Sequence, residues 1–251
     1  MANSSEKTPS GKILKGAFGK NSVALGESTA AQGEYSFATG YLNIASGDGS
    51  YVEGQANVSR GMQSHVEGVN NFADGFATHV EGLGNSSIND IHCHIEGASN
   101  TSSHNEQTHI SGESNQVTYG SHSFIGGQGN EVYRVDSTVI HGQSNKVKND
   151  IASIVIGYGN NLTFNNSNNW QGFNLISGSN NTCIDSSYCT ILGANNIINS
   201  GTSYQTVLGE LNEAKSDLSL VVGGGTSTTN RKNILELDKS GNLTIAGKLV
   251  S

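Results

Sequence analysis

Histidine and glutamate recur in one short phrase of this sequence. It reads Ser64-His65-Val66-Glu67-Gly68, Thr78-His79-Val80-Glu81-Gly82 and Cys93-His94-Ile95-Glu96-Gly97, with Tyr51 and Glu53 before it and His109 after. Imidazole and carboxylate are both ligands for divalent metals, so a metal array is one chemistry this pattern allows. The other is simple pairing of His with Glu along a seam where neighbouring chains meet. Pairing is the preferred reading, and no metal and no cofactor are expected. Stacked glutamates repel one another, so the histidines beside them are expected to gain partners and carry raised pKa values. Their contribution to stability would then be present at low pH and fade as pH climbs through the folded value.

A second candidate lies in Leu162-Thr-Phe-Asn-Asn-Ser-Asn-Asn-Trp-Gln-Gly-Phe-Asn174. It holds the sole tryptophan, Trp170, with Phe164 and Phe173 nearby and the amides of Asn168, Asn169 and Gln171. Aromatic rings beside amides suit carbohydrate, whose apolar faces stack while its hydroxyls bond. The competing reading is that Trp170 merely covers a widened turn or packs on another chain. Catalysis needs convergent acids, a nucleophile–base pair or a metal. Asp48, Asp74, Asp90, Asp150 and Asp185 fall at unrelated phases, are expected in turns, and suggest no carboxylate pair. The chain is therefore read as non-catalytic. Cys93, Cys183 and Cys189 have no metal-ligand spacing and are expected to be small buried thiols.

The elements that position these residues are set by a repeat. A glycine closes a five-residue motif at Gly26, Gly40, Gly54, Gly68 and Gly82, then at Gly97, Gly112, Gly127, Gly142 and Gly157, and again at Gly178, Gly193, Gly209 and Gly223. Position three of the motif is aliphatic throughout, from Ala24 and Ala38 through Val66 and Ile95 to Val207 and Val221. Position one is small or polar. Positions one, three and five share one face of a strand, which predicts that this face lines a narrow coil. A second inward column follows five residues after each glycine: Ala31, Ala45, Ser59, Ala73, Ser87, then Val117, Val132, Val147, Leu162 and Ile198. Asparagine stands three residues after most of the glycines, as at Asn43, Asn57, Asn71, Asn145 and Asn212. Because Asn tolerates left-handed backbone and bonds to turns, an internal ladder is expected. The fold class is thus all-β, a parallel β-roll or β-solenoid with 14–15-residue rungs.

Positions two and four point outward. They carry Val23, Leu25, Phe37, Tyr51, Phe124, Ile154 and Ile156, and in the middle the polar set Glu53, His65, Glu67, His79, Glu81, His94, Glu96 and His109. Soluble monomers rarely expose such a stripe, so an oligomer is expected with these residues at its seam. The periodicity alone does not give the number of chains.

Composition narrows the partners. A formal net charge of −8 offers no basic footprint for nucleic acid. No apolar run approaches the roughly 20 residues that span a bilayer, so no membrane insertion is expected. The opening residues lack the apolar stretch of a signal peptide, which predicts synthesis in the cytoplasm.

The stretch Asn21-Ser-Val-Ala-Leu-Gly-Glu-Ser-Thr-Ala-Ala-Gln-Gly33 resembles the head repeat of trimeric autotransporter adhesins of the YadA type. The SHVEG and THVEG phrases are similar to SHAEG-type repeats of tail proteins from phages and prophages of Gram-positive bacteria. Residues 204–251 resemble the segment that ends many such phage proteins, although Glu210 stands where that family has Lys. The resemblance implies a left-handed roll, three chains about one axis and attachment to a host surface. It favours a phage tail fibre in the virion, with a bacterial cell-surface glycan or protein as receptor and other tail proteins as neighbours. A bacterial surface adhesin is the alternative, and a tailspike-like glycan depolymerase a further one. The expected organisation is an N-terminal attachment segment (1–19), the roll (20–226) and a C-terminal β-hairpin cap (227–251) centred on Ser240-Gly241-Asn242.

Overall fold

The computed structural model describes residues 16–165, 171–199 and 202–247. It is a parallel β-solenoid with no helix among the described residues. The chain divides into two compact units, residues 1–120 and 121–251.

In the first unit each rung gives one strand to each of two sheets. One sheet stacks Val23–Glu27, Phe37–Tyr41, Tyr51–Val52, His65–Val66, His79–Val80, His94–Ile95 and His109–Glu113. The other stacks Ala30–Ala31, Ile44–Ala45, Val58–Ser59, Phe72–Phe76, Ser86–Ile91 and Thr101–Ser103. Pairing is parallel and in register, so like columns meet: Ala38 faces Val52, Val66 faces Val80, and Val80 faces Ile95. The second unit repeats the scheme with longer strands, pairing Val139–Gln143 with Ile154–Tyr158 and then Leu175–Ser179. Its last rung, Leu218–Gly223, pairs antiparallel with Asn233–Asp238, which forms a hairpin with Leu243–Ile245. Asp238 closes that hairpin by accepting the backbone N–H groups of Ser240 and Asn242 at 2.8 Å each.

The core is the pair of inward columns. Val52, Val66, Val80, Ile95 and Ile110 in one unit, and Ile140, Val155, Ile176, Ile191 and Val207 in the other, are fully buried. Each such side chain contributes about 2 kcal/mol relative to exposure. The opposite column, from Ala31 to Ser87 and from Val132 to Ile198, is equally enclosed. All three cysteines are buried free thiols, and burial pushes the Cys93 thiol up to about 11.

The asparagine ladder runs inside this core, where Asn43, Asn57, Asn71, Asn85 and Asn100 are all buried. From Asn57 on, each donates its backbone N–H to Oδ1 of the Asn one rung earlier, as Asn71 does to Asn57 and Asn85 to Asn71, both at 2.8 Å. Each side-chain amide also donates to carbonyls on either side of its corner, as Asn71 Nδ2 does to Gly82 O at 2.8 Å. The same ladder recurs from Asn145 to Asn212.

Two expectations are corrected. Left-handed backbone belongs not to these asparagines but to the residue before each: Leu42, Ala56, Asn70, Ser99, Ser144, Asn180, Asn195 and Leu211. That conformation costs about 1–2 kcal/mol for a residue with a side chain. It turns the N–H back toward the previous rung, so Leu42 donates to Glu27 O at 3.0 Å and Ala56 to Tyr41 O at 2.8 Å. The strands donate forward, for example Val23 N to Ser36 O at 2.9 Å, so every rung is tied in both directions. The closing glycine, in turn, does not line the interior. Gly26, Gly40 and Gly54 sit at an exposed corner with φ near +100°. A Cβ on Gly54 would stand 2.1 Å from the carbonyl oxygen of Gly68, which is why the column admits no side chain.

Candidate functional site

The outward face of the first unit carries a ladder of rings. Register places one ring above the next at strand spacing. Phe37 stacks on Tyr51 at 4.9 Å between centroids, Tyr51 meets His65 edge-on at 4.8 Å, and His65, His79 and His94 stack nearly parallel at 4.6 and 4.7 Å. His109 follows at 4.8 Å, tilted by 51°. Two residues on from Tyr51, His65, His79 and His94, on the same face, come the carboxylates. Glu53, Glu67 and Glu81, with Thr39 and the corner glycines Gly54, Gly68 and Gly82, line an open groove of about 410 Å³.

Pairing across this face is diagonal. His79 Nε2 lies 3.6 Å from Glu67 Oε1, His94 Nε2 lies 3.4 Å from Glu81, and His109 Nε2 lies 3.1 Å from Glu96. Only the last of these is a hydrogen bond, and it holds the Glu96 carboxyl below its ordinary range. Tyr51 donates its hydroxyl to Glu53 at 2.9 Å, which pushes the phenol pKa up. The expected rise of the histidine pKa values is overturned at His79, whose pKa is lowered. Burial disfavours its charged form, and the flanking His65 and His94 add to that, outweighing Glu81 and Glu67. The sign reverses accordingly: His79 contributes stability above its unfolded value and loses it as pH falls through the folded one.

The remaining outward residues of the column lie where periodicity puts them. Leu25 is 55% exposed in the single chain, and Val23, Tyr51, Phe124, Ile154 and Ile156 also present large exposed surfaces. Phe37 is half-buried against Tyr51.

Of the second candidate, Trp170, Asn168 and Asn169 lie outside the described residues, as does the side chain of Gln171. The backbone explains how the 21-residue spacing is absorbed. The long strand Lys146–Ile151 is matched by two short ones, Asn161–Thr163 and Gln171–Gly172, with the extra residues between them. Phe164 does not belong to this surface: it is only 2% exposed and fills the interior. Phe173 is 52% exposed and stacks on Tyr188 at 5.1 Å, which stacks on Tyr204 at 4.8 Å. Those two tyrosines were not singled out from sequence, yet the spacings of 15 from Phe173 to Tyr188 and 16 from Tyr188 to Tyr204 repeat the rung and mark one column. Rings stacked face to face show solvent their edges, which limits sugar stacking to the free face at an end of the pile.

Two carboxylates expected in turns stand instead in the core. Asp90 accepts from Ser87 Oγ at 2.6 Å and from the backbone N–H of Asn105 at 2.8 Å. Asp150 accepts from Ser153 Oγ at 2.8 Å and contacts Thr138 Oγ1 at 3.1 Å. Burial raises both, Asp150 to about 6. Each is spent on holding a corner. No protein-family model matches this chain, and a search of the curated proteins finds no match.

Proposed function

We propose that this chain is a structural and receptor-binding component of a phage tail fibre, acting without catalysis as a homotrimer that attaches to a bacterial surface glycan or protein. The observation that carries the assembly is the outward column. It is continuous within each unit, apolar at Val23, Leu25, Phe37 and Tyr51 in the first and at Phe124, Val139, Ile154, Ile156, Leu175 and Leu192 in the second. A single chain leaves it to water, and association of like chains along it removes that exposure. The resemblance of the rungs to YadA-type heads and of SHVEG to phage tail repeats supports three copies and a surface-attachment role. Sedimentation velocity of the purified chain tests the assembly, with a trimer expected; a single-chain species at micromolar concentration would refute it. Competition of the purified protein against phage adsorption tests attachment, and an unchanged adsorption rate at saturating protein would refute that part.

A further inference from the structure

We propose that the outward His/Glu strip of the first unit binds divalent transition-metal ions of the zinc class, with His79, Glu81 and His94 forming one site and Glu53, His65 and Glu67 a second. In each set the three ligand atoms lie within 4.8 Å of one another. Two donors held about 2.1 Å from one ion at the tetrahedral angle stand about 3.4 Å apart. The 3.4 Å from His94 Nε2 to Glu81 Oε1, both in the first set, matches that bite.

A second observation is independent of these spacings. Nε2 of His65, His79 and His94 is in each case shielded from solvent and has no hydrogen-bond partner. Buried polar atoms are nearly always satisfied, so three orphans in one column call for a missing partner. The same ladder supplies its own control, because His109 and Glu96 close to 3.1 Å and make an ordinary hydrogen bond. There the imidazole is satisfied within the ladder; at His65, His79 and His94 it is not. A set of two imidazoles and one carboxylate is a zinc-type donor set with one position left for water, while two carboxylates and one imidazole bind less tightly. All six donors come from one chain, so the sites require neither the trimer nor the attachment role.

The test is titration of the purified full-length protein with Co2+ as a spectroscopic probe, then competition with Zn2+. The expected result is a visible d–d band of low-coordinate Co2+ that Zn2+ displaces, with a rise in melting temperature that chelator reverses. Loss of an outer-shell partner alone typically weakens metal binding about tenfold or more, so H79Q and E81Q, each removing a direct ligand, should do at least that. H104Q and H122Q, which alter exposed histidines off the strip, should leave the titration unchanged. Circular dichroism confirms that each variant keeps its fold, and E81Q carries the test if H79Q does not. No band in the wild type, or equal binding by wild type and E81Q, would overturn the proposal.

Discussion

Asn71 accepts the backbone N–H of Asn85 at its Oδ1 at 2.8 Å and donates its own amide to the carbonyl of Gly82 at 2.8 Å. One buried side chain therefore serves as both acceptor and donor for the rung that follows it. Replacing Asn71 by Ala leaves that N–H and those carbonyls unsatisfied, at an expected cost of roughly 2–4 kcal/mol. Asn71→Asp is expected to cost more, since it aims a carboxylate at two carbonyl oxygens. Urea denaturation of the three proteins checks the order, and an aspartate variant as stable as wild type would contradict it.

Two glycines of neighbouring rungs make a matched pair. A Cβ on Gly68 would stand 2.2 Å from Gly82 O, with φ at +96°, whereas one on Gly84, at φ +65°, meets nothing nearer than Ser99 Oγ at 4.0 Å. Gly84→Ala is expected to cost about 1–2 kcal/mol, the ordinary penalty of left-handed backbone. Gly68→Ala must force the stacked corners apart and should cost well beyond that, read as the difference in unfolding midpoint.

Asp150 supplies the pH dependence. Its folded pKa of about 6 lies above its ordinary 3.8, so the stability it lends is full below 3.8 and drains away as pH rises through about 6. The loss is about 3 kcal/mol at 1.36 kcal/mol per unit. Asn at this position mimics the protonated acid. Its oxygen can accept from Ser153, and its nitrogen can donate to Thr138, whose own proton then goes to the Asp136 carbonyl at 3.0 Å. D150N should be more stable than wild type at pH 7 and flatten the stability profile between about pH 4 and 6, as followed by thermal melts across that range.

Ile154 and Ile156 are each about two-fifths exposed in one chain, so charge there does not disturb the core. The double substitution I154E/I156E is expected to keep the circular dichroism of the β-solenoid while shifting the sedimenting species toward the single chain. An unchanged assembly would place the seam elsewhere.

Much of this was legible because a solenoid repeats each side chain's environment at a constant interval. Val66, Val80 and Ile95 share one environment, so their column betrays the core without any long-range contact having to be guessed. What escaped were effects that pass between rungs. The corner glycines serve the carbonyl of the next rung and not the interior, and the left-handed residue is the neighbour of the conspicuous Asn. The pKa of His79 is lowered first by burial within the stack and then by the charges of His65 and His94 above and below it. Asp90 and Asp150 carry no outward sign that hydroxyls surround them. Tyr188 and Tyr204 belong to a turn column that becomes visible only when spacing is counted from Phe173.

The parallel register also separates length from stability. Between Gly157 and Gly178 the chain gains extra residues, yet Ile154 still faces Leu175 and Gly157 still faces Gly178. The strands on either side of the added residues keep their pairing, and a duplicated rung would meet the same neighbours as its original. Such a molecule can grow or shrink by tandem duplication and deletion of 15-residue segments, and can acquire surface loops at its corners, while the rest of its architecture is inherited intact.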